Sequence, residues 1–302
     1  MAHLKIGLVG LGRMGLSIAY RLVNAGHEVV GFDFSEQARQ QAQELGAAVV
    51  TQLTDITQNL DALWLMVPAG NPVDDVIQQV LPTLSKETII VDGGNSNFHD
   101  SIRRAKLLAE QGIALLDCGT SGGLHGRDIG FSLMIGGDKA AYETLIPAFQ
   151  ALAAPNGYEY MGPAGAGHYV KMIHNGIEYS MLQAYAEGFD LLKHGHYQNL
   201  DLEKISSVWS NGSIIRSWCL ELAHQVFKQD QALETISGEI GENKTGQWTL
   251  DEAKLAHVPM KMLDQALAVR AWSRASGGNY GTKVVAMLRH AFGGHSIKKR
   301  EI

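Results

Sequence analysis

Within the run KMIHNGIEY, Lys171, the pair His174 and Asn175, and the pair Glu178 and Tyr179 are separated by apolar residues and one glycine. At 3.6 residues per turn, Lys171, His174, Asn175 and Glu178 fall at i, i+3, i+4 and i+7 and share one helix face. Lys171 and Glu178 then lie two turns apart, about 10 Å along the axis. That separation suits a small extended substrate, with an amine and a carboxyl available for general acid–base work. The amine must be neutral to act as a base, yet a free lysine titrates near 10.4. Burial in an apolar helix interface lowers that value, because the charged form loses its hydration. A solvated polar face has the same spacing. Val170, Met172, Ile173 and Ile177 argue against it, because apolar neighbours imply a largely enclosed helix.

Such a helix needs a frame. The first half of the chain alternates apolar strand patterns (LKIGLVG, HEVVGFD, DALWLMVP, ETIIVDGGN) with helical ones (RMGLSIAYRLVNAG, SEQARQQAQELG, PVDDVIQQVLPTL, HDSIRRAKLLAEQG). This alternation predicts an α/β fold, a doubly wound parallel sheet with helices on both faces. IALLDCGTSGG, GFSLMIGG and a short GYEYMG extend the sheet, and KAAYETLIPAFQALA reads as one helix. Beyond Gly162 only helical patterns remain. They are a long helix from Ala166 to His194, one stretch EKISSVWSNGSIIRSWCLELAHQVF, and three later segments. The expected organisation is a Rossmann-type domain over residues 1–162 and an all-helical domain over 163–302.

Gly10, Gly12 and Gly15 form G-x-G-x-x-G directly after the first strand and open a helix. That context gives a tight turn, a backbone able to approach a pyrophosphate, and helix N-terminal amides facing negative charge. Asp33 ends the second strand about 20 residues later, where a carboxylate accepts bonds from the adenosine ribose hydroxyls. It would repel a 2′-phosphate, and Phe34 offers no cation in compensation. NAD is therefore the expected cofactor, with NADP second. The cofactor contacts expected are Gly10, Leu11, Gly12, Arg13, Met14, Gly15, Asp33, Phe34, Ser35, Val67, Pro68, Ala69 and Asn95. The stretches ending at Gly70, Ser96 and Gly123 close strands at the sheet's carboxyl edge, where ligands of such folds bind.

Composition narrows the class. A formal charge of −6 gives no basic footprint for nucleic acid. Two cysteines cannot build a disulfide framework, which fits a reducing cytoplasm. No apolar run approaches the roughly 20 residues of a membrane span, and a strand pattern beginning at Leu4 leaves no room for a leader. No H-E-x-x-H or paired-cysteine spacing occurs, so no metal site is expected.

Taken in order, GLGRMG, DGGNS, SGG and KMIHNGIEY resemble the cofactor loop, two substrate loops and catalytic helix of the decarboxylating 6-phosphogluconate dehydrogenases. The resemblance covers essentially the whole chain, which looks like the short form with a single helical domain. The related 3-hydroxyacid (3-hydroxyisobutyrate-like) dehydrogenases, which typically carry K-x-x-N-N in that helix, are the alternative. The resemblance implies Lys171 as base for the C3 hydroxyl and Glu178 as the acid after carbon dioxide leaves. It further implies His174, Asn175, Asn95, Ser121, Gly122 and Gly123 around the sugar acid, and Tyr179 with Arg270 at its phosphate. In KTGQWT, Thr245, Gly246, Trp248 and Thr249 fit the family's GTGKWT, Gln247 replaces a lysine, and Lys244 is offset by one residue from the family's substrate lysine. Arg289 and His295 match residues that reach a neighbouring subunit's site, which implies a homo-oligomer with shared active sites.

Overall fold

The computed structural model describes residues 3–300. It divides into two compact units, Met1–Met172 and Ile173–Ile302.

The first unit is built on strands β1 (Lys5–Val9), β2 (Glu28–Phe32), β3 (Ala48–Val49), β4 (Ala62–Leu65), β5 (Ile89–Asp92), β6 (Leu115–Ser121), β7 (Phe131–Gly137) and β8 (Ala153–Gly162). They form one sheet in the order β3-β2-β1-β4-β5-β6-β7-β8. Helices α1 (Arg13–Asn24), α2 (Glu36–Glu44), α3 (Asn71–Val80) and α4 (Phe98–Ala109) connect its parallel strands. Side chains alternate faces along each strand. On β4, Ala62 and Trp64 therefore join one core with Ile6, Leu8 and Ile18, while Leu63 and Leu65 join the other with Val9, Ile56 and Ile77. Burial on both faces explains why the strands read as apolar runs.

The sheet is not wholly parallel. β7 runs antiparallel to β6, with Leu116 opposite Gly137 and Ser121 opposite Ser132. The connection Gly122–Gly130 holds only a 3-10 turn and the one-turn helix α5 (Gly126–Ile129). A parallel return needs a crossover of about a dozen residues or more, so so short a link turns the chain back beside its neighbour. The expected single helix after β7 is two, α6 (Lys139–Thr144) and α7 (Ile146–Leu152), because Pro147 in the first turn of α7 cannot continue the helix before it.

Helix α8 (Ala166–His194) runs unbroken from the first unit into the second. The second unit adds α9 (Leu202–Ser210), α10 (Trp218–Gln229), α11 (Thr245–Leu255), α12 (Lys261–Ser276) and α13 (Tyr280–Gly293). The stretch read as one helix from Glu203 is thus two. Gly212 takes φ +94° and Ser217 caps α10 by accepting from the Leu220 amide. Leu182, Phe189, Leu220, Phe227 and Val284 anchor the core of this unit. Gly176 lies mid-helix, where glycine costs about 1 kcal/mol relative to alanine. A Cβ there would sit 2.9 Å from Thr249 and 3.1 Å from Leu263, so its absence lets α11 and α12 close on α8. Among the described residues no helix is long and apolar enough to cross a membrane.

Candidate active site

The loops that follow β1, β2, β4, β5 and β6 share the carboxyl edge of the sheet. Gly10 takes φ +95°, and a Cβ on it would lie 2.5 Å from the Met66 carbonyl. A Cβ on Gly15 would strike the Gly10 carbonyl, whereas one on Gly12 would meet nothing within 4 Å. Two of the glycines are thus demanded by close packing. The third leaves open space over the N-terminus of α1, whose first-turn amides have no partners within the helix. Asp33 reinforces the turn, its Oδ2 accepting from the Leu11 amide at 2.8 Å and its Oδ1 from the Ser35 amide at 2.8 Å. This cradle fits the pyrophosphate and ribose of a dinucleotide. Phe34 is largely exposed, at 86%. A feature absent from the sequence reading stands beside it. Arg39, in the first turns of α2, donates to the carbonyls of Asp33 (2.6 Å) and Phe34 (3.2 Å). Its place four residues beyond Ser35 was the only available signal.

Asn95 sits at φ +55°. Its amide bridges to the next loop, Oδ1 accepting from Thr120 N at 2.9 Å and Nδ2 donating to Thr120 O at 3.2 Å. One N–H and one lone pair remain for a ligand. Thr120 leads into Ser121, Gly122 and Gly123, so the two loops expected to hold substrate are joined directly.

The approach of α8 to this edge was not legible. Asp117 on β6 is 1% exposed and accepts from the amides of Gly165 (2.7 Å) and His168 (2.8 Å), which caps α8 with a carboxylate. Gly167 is pressed so tightly onto the strands that a Cβ there would lie 2.3 Å from Met134 O. Gly119 does the same for the lysine, since a Cβ on it would lie 2.4 Å from the Cβ of Lys171. Lys171 itself is 6% exposed. His168, one turn earlier, is buried with Nδ1 2.8 Å from Ser101 Oγ.

On the following turns of α8, His174 Nδ1 lies 3.1 Å from Asn175 Oδ1 and 4.0 Å from Glu178 Oε2. The enclosure expected from the apolar neighbours is partial. Met172 is buried but Ile177 is 54% exposed, because only part of the helix circumference meets α11 and α12. Tyr179 is buried and donates its hydroxyl to Asn243, a residue the sequence reading passed over. The Arg270 guanidinium lies 3.7 Å above the Tyr179 ring. Arg270 is 4% exposed, and its Nη2 has no hydrogen-bond partner among the described residues. Burial lowers its pKa to about 10, against the opposing influence of Tyr179. Burial, followed by the opposing Arg270 charge, governs the raised pKa of the Tyr179 hydroxyl. Arg270 also lines a cleft of about 250 Å³ with Asn243, Gln247 and Arg274.

Arg289, expected at a neighbouring subunit, is 6% exposed and donates to Gly241 O of its own chain at 2.8 Å. Burial lowers its pKa, with Tyr179 and Glu178 acting in opposition. His295 is exposed beyond the end of α13, its backbone carbonyl 2.9 Å from His290 Nδ1. Lys244 is exposed immediately before α11, and Thr245 opens that helix.

Residues 5–163 match the NAD binding domain of 6-phosphogluconate dehydrogenase, and residues 167–295 match the 6-phosphogluconate dehydrogenase C-terminal domain. An NAD(+)-dependent, decarboxylating 6-phosphogluconate dehydrogenase of Haloferax volcanii is 43% identical, covering 99% of this chain and 100% of its own. Among solved structures, Plasmodium falciparum 6-phosphogluconate dehydrogenase superposes with a TM-score of 0.81 at 31% identity, over 90% of this chain and 62% of that one. A Mycobacterium tuberculosis 3-hydroxyisobutyrate dehydrogenase superposes at 0.75 but with 23% identity, over 95% of this chain and 100% of its own, which bears on fold alone. With both domains matched in order and a relative this similar along its full length, the chain belongs to the 6-phosphogluconate dehydrogenase family.

Proposed function

We propose that this chain catalyses oxidative decarboxylation of 6-phospho-D-gluconate to ribulose 5-phosphate and carbon dioxide, with NAD preferred over NADP. The observation that carries this reading is the buried, unpartnered Nη2 of Arg270 beside Tyr179. A guanidinium taken out of water costs several kcal/mol unless an anion answers it, and a phosphate dianion suits its planar fork. A 3-hydroxyacid without phosphate leaves that cation unanswered. Tyr179, Asn243 and Thr245 complete the phosphate-binding group on this reading. Lys244 reaches the phosphate from the start of α11, and Arg289 with His295 serves the phosphate of a neighbouring subunit's site.

NAD, when bound, accepts the hydride released from C3 of the sugar acid. The α1 turn with Gly10, Leu11, Gly12, Arg13, Met14 and Gly15 holds its pyrophosphate, and Asp33 and Ser35 hold the adenosine ribose. Phe34 flanks the adenosine, while Val67, Pro68, Ala69 and Asn95 border the nicotinamide half. Asp33 favours NAD because its carboxylate repels a 2′-phosphate. Lys171, in its neutral form, removes the C3 hydroxyl proton as the hydride departs. The ammonium so formed donates to the new C3 ketone oxygen, drawing electrons from the breaking bond to the carboxylate. Glu178, neutral at this stage, protonates the enediol carbon that lost carbon dioxide. Asn95, Ser121, Gly122, Gly123, His174 and Asn175 orient the sugar acid. Residues 1–162 carry the dinucleotide and two of the substrate loops, and 163–302 the rest of the substrate site and the subunit contacts. The chain acts as a homo-oligomer in which His295, exposed on its tail, completes a neighbouring site.

The test is the rate of NAD reduction with 6-phosphogluconate, compared with NADP and with 3-hydroxyisobutyrate. The proposal expects the first pair to give the highest kcat/KM. Faster turnover of 3-hydroxyisobutyrate would overturn it.

A further inference from the structure

Arg104, on α4, has no part in the chemistry above, yet it is 2% exposed. All five of its N–H groups are used. Nε donates to Asp74 Oδ1 at 2.9 Å, Nη1 to Asp92 Oδ2 at 3.2 Å and Ser96 Oγ at 3.3 Å, and Nη2 to Gly70 O at 2.9 Å and Asp74 Oδ2 at 3.1 Å. These acceptors belong to two different loops. Gly70 ends the Val67–Gly70 loop after β4, and Asp74 lies in the first turn of α3, which that loop feeds. Asp92 and Ser96 bracket the loop after β5. Asp92 is fully buried, and it also accepts from Ser96 Oγ at 2.7 Å and from the Gly94 amide at 3.1 Å. The Arg104 hydrogen bond is the main reason the Asp74 carboxyl titrates below its usual value. The two loops already touch, since a Cβ on Gly94 would lie 2.5 Å from Val67 O.

The sheet order says what these loops do. Asp33 follows β2 and the glycine turn follows β1, while the Val67–Gly70 and Asp92–Ser96 loops follow β4 and β5 on the far side of β1. A dinucleotide with adenosine at Asp33 and pyrophosphate at Gly12 therefore carries its nicotinamide half toward Arg104's two loops. We propose that Arg104 is a positioning residue that locks the nicotinamide-side loop to the Asn95 loop, setting the place of cofactor and substrate together. The proposal rests on the functional reading above. A lysine, a point charge without the planar fork, reproduces only part of this geometry.

The experiment measures Kd for NAD and for ADP by calorimetry, with steady-state kinetics on 6-phosphogluconate, for wild type, Arg104→Met, Arg104→Lys and Ser96→Ala. ADP spans only the Asp33 and Gly12 end, so its Kd should stay within twofold of wild type in every variant. The Kd for NAD and the KM for 6-phosphogluconate should each rise tenfold or more in Arg104→Met. Arg104→Lys and Ser96→Ala should fall between, which keeps the test open if the methionine variant does not fold. Arg103→Ala, which removes exposed ion pairs to Asp74 and Asp100, should change none of these by more than twofold. A role in stability alone predicts a lower Tm with NAD and ADP affinities of the folded protein both unchanged, and that result overturns the proposal. So does equal weakening of NAD and ADP. Wild type that binds NAD but does not turn over 6-phosphogluconate overturns the functional reading instead, and the NAD and ADP affinities still judge Arg104.

Discussion

Gly119→Ala should disable the site with a single methyl group. A Cβ at residue 119 falls 2.4 Å from Lys171 Cβ, 3.1 Å from Lys171 Cγ and 2.8 Å from Gly167 O. Carbon atoms in contact sit about 3.5–4.0 Å apart, so strand and helix must separate by about 1 Å. None of the three offending atoms is the pliable end of a side chain. Sideways escape is closed as well, because a Cβ on Gly136 would already lie 2.6 Å from Gly167 N. The helix therefore lifts, and it takes Lys171 with it. A misplacement of about 1 Å costs about 100-fold in rate, equivalent to about 2.7 kcal/mol in kcat/KM. Overpacking should cost about 1–3 kcal/mol of stability, less than the 5–15 kcal/mol typical of a native protein, so the variant should fold. The assay is NADH formation under kcat/KM conditions, with Tm and the Kd for ADP as controls. A kcat/KM within threefold of wild type in folded protein would refute the claim that Gly119 sets the position of Lys171.

Four further outcomes are expected. Lys171→Met should abolish NADH formation while 6-phosphogluconate still binds, and Glu178→Gln should slow turnover severely at the later protonation; near wild-type turnover in either variant contradicts the role given to it. Asp33→Asn with Phe34→Arg should move the kcat/KM preference toward NADP, because a repulsion goes and a second guanidinium joins Arg39; a wild type already tenfold better with NADP contradicts the reading of Asp33. Asp117→Asn should put an amide N–H against the Gly165 or His168 amide, costing about 1–3 kcal/mol, seen as a Tm lowered by several degrees together with reduced kcat; an unchanged Tm contradicts the capping role. Mixed oligomers of Lys171→Met and His295→Ala chains should regain activity, because one site then carries both defects and another neither; verified mixed oligomers without recovery contradict the shared site.

What could be read from the sequence was local. The glycine turn, Asp33 and Ser35, whose side chain caps α2 by accepting from the Ala38 amide, are set by residues close together in the chain, so strand–turn–helix chemistry exposes them. The single face of Lys171, His174, Asn175 and Glu178 follows from helical period alone. What escaped depends on partners far apart in sequence. Asp117 caps a helix that begins nearly fifty residues later, and Arg104 binds Gly70 across |i−j| = 34; neither leaves a periodic trace. The antiparallel β7 was hidden because an apolar run looks the same in either direction. β3, Ala48–Val49, is too short to give a pattern at all. The exposure of Ile177 depends on which helices pack against α8, and composition is silent on that.

The central claim is that a proton base, a hydride acceptor and a buried phosphate-binding arginine together make one oxidative decarboxylation. Its most direct test is the stoichiometry of a single reaction mixture containing 6-phosphogluconate and NAD. The account predicts one NADH and one carbon dioxide for each substrate consumed, with both lost together in Lys171→Met. NADH without carbon dioxide, or no NADH with 6-phosphogluconate under conditions in which 3-hydroxyisobutyrate is oxidised, would contradict it.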